Sequence, residues 1–159
     1  MQIRIADEAD LSTIKSLLGT NDLPVADISK ALIAGFLVAE DASGLVIGIG
    51  GLEQLGSSVL LRSLAVAPEA RGLGIASALV ARLEDNARAC GRQDVWLLTT
   101  TAERFFERVG YKNVSREEVH REVRLSRQFA ALCPSTASCM RKRLRTATSA
   151  PIAERPLSN

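Results

Sequence analysis

Apolar positions along the chain change rhythm several times, and each change marks an element. Ile3-Arg4-Ile5 alternates with the period of a strand, and the acidic stretch Asp7-Glu8-Ala9-Asp10 then leads into Leu11, Ile14, Leu17 and Leu18 at helical spacing. After the turn residues Asn21-Asp22-Leu23-Pro24 the pattern predicts a second short helix around Ile28 to Ala34. Phe36 to Glu40 and Leu45 to Leu52 read as two strands joined by the hairpin chemistry of Asp41-Ala42-Ser43-Gly44, and Val59 to Val66 follows as a third, completing an antiparallel meander.

Pro68 to Gly74 breaks the pattern with turn residues. Behind it Ile75 to Cys90 places Ala76, Leu79, Val80 and Leu83 on one helical face, with Gly91 suited to the C-cap. Val95 to Thr99 reads as the next strand, Ala102 to Val109 as a helix stopped by Gly110, and Tyr111 to Val114 as extended chain. The order β-α-α-β-β-β-α-β-α-β implies an α/β domain with a mixed sheet. Glu117 to Leu132 is compatible with a helix, and Ser138 to Arg143 gives only a short, ambiguous pattern. Thr146 to Asn159 has no periodicity and is rich in Ala, Thr, Ser and Pro, so the expectation is one domain over residues 1–145 and a disordered tail over 146–159.

Composition narrows the function classes. The chain has 159 residues, 47% of them hydrophobic and 24% charged, an ordinary balance for one globular domain. A formal net charge of +2 is too small to argue for nucleic acid or a membrane surface, although Arg141-Lys142-Arg143-Leu144-Arg145 concentrates positive charge as a solvated helix end, a tail or a phosphate-contacting patch. No apolar run approaches membrane-spanning length and the N-terminus lacks a signal-peptide layout, so a cytoplasmic protein is expected. Cys90, Cys133 and Cys139 with the single His120 make neither a disulfide framework nor a zinc site, and no metal is expected.

The candidate chemistry lies in Arg71-Gly72-Leu73-Gly74-Ile75-Ala76, between a predicted strand and a predicted helix. Glycines let backbone N–H groups approach a ligand closely, a helix N-terminus favours a phosphate, and Arg71 supplies a fork of donors, so a pyrophosphate suits the loop. A P-loop needs Lys-Ser or Lys-Thr where Ile75-Ala76 stands, and a dinucleotide fingerprint follows the first strand rather than a meander.

Leu61 to Ala76 as a whole resembles the cofactor motif of GNAT acetyltransferases, whose pattern R/Q-x-x-G-x-G/A is met by Arg71, Gly74 and Ala76. A second family segment is matched by Ala102-Glu103-Arg104-Phe105-Phe106-Glu107-Arg108-Val109-Gly110-Tyr111. The resemblance implies a GNAT fold, an α/β domain whose mixed, mostly antiparallel sheet has splayed central strands flanked by helices, and an acetyl-CoA-dependent N-acetyltransferase. It implies that Leu64, Ala65 and Val66 meet the pantetheine arm, that Arg71, Gly72, Leu73, Gly74, Ile75 and Ala76 cradle the pyrophosphate, and that Phe105 and Phe106 pack nearby, plain core packing being the alternative for one of them. Oxyanion stabilisation would come from backbone N–H groups near Leu64 to Val66. In many members a tyrosine protonates the departing sulfur. Phe106 stands at that place, and Tyr111 aligns with a mostly structural aromatic.

For amine deprotonation the candidate is Glu53, at the end of the strand beside the cofactor strand, against the alternative of a solvated strand-end carboxylate. Leu97-Leu98-Thr99-Thr100-Thr101-Ala102 looks like the corresponding stretch of bacterial amino-acid N-acetyltransferases that use glutamate, which implicates Thr100 in substrate binding. Arg62 lies inside an otherwise apolar strand, where it is costly unless paired, so either a substrate carboxylate or an internal salt bridge is expected there. With Phe129 to Met140, these stretches resemble the small GNAT proteins associated with bacterial arsenic resistance, implying as substrates organoarsenical analogues of glutamate. Val119-His120-Arg121 departs from that group at the pocket wall, and Cys133 with Cys139 raises arsenite binding as a further idea. The partner expected is a small-molecule amine. A homodimer through Val95 to Leu98 or the segment after Glu117 remains open, as do an acyl-CoA-binding sensor without turnover and acetylation of an aminoglycoside, polyamine or peptide.

Overall fold

The computed structural model describes residues 1–119, 121–126 and 137–144. Strand β1 (Gln2–Ile5) and helix α1 (Leu11–Thr20) open the chain, followed by the meander β2 (Phe36–Glu40), β3 (Val46–Leu55) and β4 (Ser58–Val66). Helix α2 (Ile75–Ala89), β5 (Asp94–Thr99), α3 (Glu103–Arg108), β6 (Lys112–Asn113), the short α4 (Arg121–Arg124) and β7 (Ser138–Arg143) complete it. Among the described residues the seven strands form one sheet in the order β1-β2-β3-β4-β5-β7-β6. Every neighbouring pair is antiparallel except β4 with β5.

That parallel pair shapes the molecule. β4 and β5 are in register at Leu60 opposite Trp96 and at no later position, although β4 runs on to Val66 and β5 to Thr99. The two strands therefore part toward their C-terminal ends, and the sheet opens there as a wedge. Its closed end is held by a small core of Leu60, Trp96, Val119, Val123 and Cys139. The main core joins Ile14 and Leu18 of α1, Phe36, Val38 and Ile49 of the meander, and Leu79 and Leu83 of α2. Glycines admit these helices and rings: a Cβ on Gly51 would stand 2.2 Å from the Phe36 ring, and one on Gly48 2.8 Å from the Ile75 side chain.

Two expectations need correction. The second helix expected around Ile28 to Ala34 is instead a turn followed by one 3-10 turn, Leu32–Gly35, with Ile28 and Ile33 buried. The stretch is too short for stable α-helix, and Asp27 is drawn away to a partner on β4. Ser138 to Arg143 is a full strand, paired residue by residue with β5. Its basic side chains are held by the fold: Lys142 reaches Glu84, and the Arg141 guanidinium lies 5.2 Å from the Trp96 ring centroid. Of Glu117 to Leu132, the described residues form the end of the 3-10 turn Arg116–Glu118 and the four residues of α4, while 120 and 127–132 lie outside the described residues, as does the tail 146–159.

Candidate active site

A bulge and a loop build the site. In the β3–β4 ladder Ile49 faces Ala65 and Gly51 faces Arg62, so Ser63 and Leu64 together oppose Gly50. Ser63 takes the extra turn with φ +59, a left-handed backbone uncommon for serine. Leu64 is then set over Gly50, where a Cβ would meet its Cδ1 at 3.1 Å.

The loop expected to hold a pyrophosphate does open α2. Gly72 and Gly74 have φ of +83 and +81, and a Cβ at either would meet nothing within 4 Å, so their backbones face open space. Gly74 is the N-cap and has no side chain to cover the first N–H groups of the fifteen-residue helix. Arg71 is exposed, and its Nη2 donates to Asn21 Oδ1 at 2.7 Å, tying the loop to the end of α1.

A cleft of about 520 Å3 runs from this loop into the wedge, lined by Leu64, Ala65, Val66, Arg71, Gly72, Gly74, Ile75, Ala76 and Phe105. The structure thus brings together all but two of the residues expected to face a cofactor. Leu73 is 73% exposed and points to solvent. Phe106 is buried edge-on to Tyr111 with ring centroids 5.6 Å apart, and it lines a second cleft instead.

That second cleft, about 240 Å3, adjoins the first through the shared residues Asn21, Leu64 and Ala102. Arg62, Ser63, Thr99, Thr100 and Thr101 supply its polar wall. Thr99 Oγ1 accepts the backbone N–H of Ala102 at 2.9 Å and of Thr101 at 3.4 Å, which fixes the start of α3, and Thr100 is exposed at the rim.

Of the two readings of Arg62, the structure shows the internal salt bridge. Its side chain is 1% exposed, with Nη1 and Nη2 donating to the two oxygens of Asp27 at 2.6 and 2.8 Å. Nη1 also donates to Glu53 Oε1 at 3.0 Å, and Nε to Ser63 Oγ at 3.1 Å. Burial alone would lower the guanidinium pKa, but the hydrogen bonds to Asp27 and Glu53 outweigh it and raise it, so the charge stays. Among the described residues one cation, Arg62, faces two carboxylates, Asp27 and Glu53. Glu53 itself lines neither cleft of the wedge and reaches the site only through Arg62. Asp27 was not visible in the sequence as a site residue, because nothing local marks a contact made across 35 positions.

Tyr111 stands apart from both clefts. Its hydroxyl donates to Glu84 Oε2 at 3.0 Å, and Lys142 Nζ bonds the same carboxylate at 3.0 and 3.2 Å and the Val109 carbonyl at 2.8 Å. Burial, then the Glu84 charge, pushes the phenol pKa far up, so it holds its proton and serves packing. Cys139 is buried in the small core, and the suggested partner Cys133 lies outside the described residues. No helix among the described residues is long and apolar enough to cross a membrane.

A bulged β4, a glycine loop opening α2 and a wedge between parallel strands define an acyltransferase of GNAT architecture. The family model for the acetyltransferase (GNAT) domain matches residues 33–113, and the chain belongs to that family. An amino-acid acetyltransferase of Mycobacterium tuberculosis is 35% identical over 142 residues, 84% of this chain and 78% of that protein. Among solved structures, N-acetylglutamate synthase of Neisseria gonorrhoeae, complexed with coenzyme A and N-acetyl-glutamate, superposes with a TM-score of 0.78 at 22% identity over 91% of this chain. This chain spans only 35% of that larger protein. A Mycobacterium tuberculosis protein in complex with CoA and NLQ gives a TM-score of 0.77 at 30% identity, covering 91% of this chain and 100% of the other.

Proposed function

We propose that the chain transfers the acetyl group of acetyl-CoA to the α-amine of a small, glutamate-like amino acid or analogue. The observation that carries this reading is the pair of adjoining clefts in the wedge, one ending on a bare helix N-terminus and the other on a buried charged cluster. The residues fit acetyl-CoA: two left-handed glycines with nothing to crowd a ligand, the N–H groups of the α2 first turn, and an exposed Arg71 whose one described partner is a neutral amide. When bound, acetyl-CoA supplies the activated acyl carbon. The relatives described above support an amino acid as acceptor, one being an amino-acid acetyltransferase and another holding N-acetyl-glutamate.

This chain's residues divide the remaining work. Ser63 and Leu64 have no register partner of their own in β3, so the bulge offers backbone N–H for a developing oxyanion. An acidic acceptor reaches the Arg62 guanidinium by replacing Glu53, which holds it through one oxygen at 3.0 Å, rather than the bidentate Asp27. Exchanging one carboxylate for another leaves the charge around Arg62 unchanged. Glu53, released from Arg62, must turn into the acceptor cleft to take the proton of the substrate ammonium, and Thr100 at the rim supplies a hydroxyl to the substrate. Organoarsenical glutamate analogues carry the same amine and carboxylate and belong to the same acceptor class.

The test is release of free thiol from acetyl-CoA by the purified protein with glutamate, phosphinothricin-like and arsonic or arsinic glutamate analogues, other amino acids, polyamines and an aminoglycoside. Turnover confined to acidic amino acids is expected. Turnover with cationic amines alone would overturn the acceptor class, and acetyl-CoA binding with silence across the panel would overturn the reaction.

A further inference from the structure

Phe106 leaves the wedge without a phenol beside the departing sulfur, so another group must deliver that proton. Four hydroxyls line the second cleft: Ser63, Thr99, Thr100 and Thr101. Thr100 and Thr101 are exposed at its edge. Thr99 spends both lone pairs on the N–H groups of Thr101 and Ala102, so it can donate a proton but cannot accept one in return.

Ser63 differs in three ways. It is half-buried, and its φ of +59 in the bulge is a conformation that a serine adopts at a cost. Its Oγ accepts from Arg62 Nε at 3.1 Å, which fixes the hydroxyl against a buried, permanently charged group. That bond uses one lone pair, leaving a second lone pair and the hydroxyl hydrogen without a partner among the described residues.

We propose that Ser63 is the proton relay of the acyl transfer, a role that rests on the acetyl-transfer reading above. After the ammonium has lost one proton to Glu53, the amine nitrogen forms its bond to the acyl carbon and retains one proton more than the amide needs. As the carbon–sulfur bond breaks, that proton passes to Ser63 Oγ while the Ser63 hydroxyl proton passes to sulfur. The products are the amide and the free thiol, and Ser63 ends as a hydroxyl without becoming an alkoxide. Arg62 is here a positioning residue, holding the oxygen so that its remaining lone pair and hydrogen both face the cleft.

Ser63→Gly tests this without endangering the fold, because glycine adopts a positive φ freely. Ser63→Ala is made alongside it, to separate the loss of the hydroxyl from the release of backbone strain. Wild-type turnover is measured first, so that failure of the acetyl-transfer reading shows as silence of the wild type itself. Relative to wild type, both variants are expected to keep their affinity for CoA and to lose about 10²-fold in kcat. Ser63→Gly and Ser63→Ala both lose the acceptor for Arg62 Nε, and Ser63→Gly should melt higher than Ser63→Ala because only glycine relieves the positive φ. Independently of turnover, thiolate absorbance of bound CoA is followed against pH. The thiolate should appear at higher pH in both variants, because it has lost a hydrogen-bond donor. Wild-type kcat in Ser63→Gly, or an unchanged thiolate titration, would overturn the proposal.

Discussion

Two charged clusters among the described residues, one around Glu84 and one around Arg62, differ in a way that separates function from stability. Around Glu84 the count is balanced: one carboxylate, one Lys142 ammonium and a Tyr111 hydroxyl, with the Val109 carbonyl taking a further ammonium hydrogen. The cluster ties α2 to the far edge of the sheet and lines neither cleft of the wedge. Around Arg62 two carboxylates share one guanidinium among the described residues, with side-chain exposures of 17% and 21% for Asp27 and Glu53. Arg62, which holds Glu53 through a single oxygen, lines the acceptor cleft, whereas Lys142 and Glu84 do not line it.

The largest effect should come from Arg62→Ala, which removes the buried cation shared by Asp27 and Glu53 and should cost about 3–5 kcal/mol of stability. Chemical denaturation measures the loss, and glutamate should fail to protect the variant even where acetyl-CoA still does. Lys142→Met should cost about 3 kcal/mol by the same physics. Its KM for the amino acid, however, should match wild type; a raised KM would erase the distinction between the clusters.

Glu53→Gln removes a proton acceptor but leaves an oxygen for Arg62, so kcat should fall about 10²-fold with little change in melting temperature. If melting falls steeply and kcat holds, Glu53 belongs with Glu84 as a structural carboxylate.

The smallest effect is expected at a third cluster, where Arg4 bonds Asp10 at 2.8 and 3.0 Å and Glu40 at 3.0 Å on the β1 side of the sheet. The Arg4 hydrogen bonds hold the Asp10 carboxyl below its usual range, despite some burial. A lowered folded-state pKa stabilises the protein above the ordinary carboxylate pKa, and that contribution is lost as pH falls through the folded value. Asp10→Asn should therefore cost up to about 1 kcal/mol near neutrality and progressively less in acid, read from melting curves against pH.

How far the sequence reaches follows the same division. The loop 71–76 was legible because a strand, two glycines and a helix lie within a few residues, and the comparison of that local order with other phosphate loops is decisive. Arg62 was half legible: an arginine in an apolar strand demands a partner, but Asp27 is 35 positions away in a turn with no pattern of its own. β7 was missed for a similar reason. Its Cys139 and Met140 are buried side by side on successive residues, and Arg141 and Lys142 are held by Trp96 and Glu84 from distant elements, so no period survives. The bulge at Ser63 has no signal at all, since serine is not the residue that a positive φ would lead one to expect.

Backbone hydrogen exchange with and without CoA tests most directly whether the wedge between β4 and β5 is the acyl-donor site. Added protection is expected at residues 64–66 and 72–77, with none around Glu84 and Lys142, and Arg71→Glu should abolish it by setting like charge against the pyrophosphate. Protection that appears elsewhere, or survives unchanged in Arg71→Glu, would contradict the placement of the cofactor in this cleft.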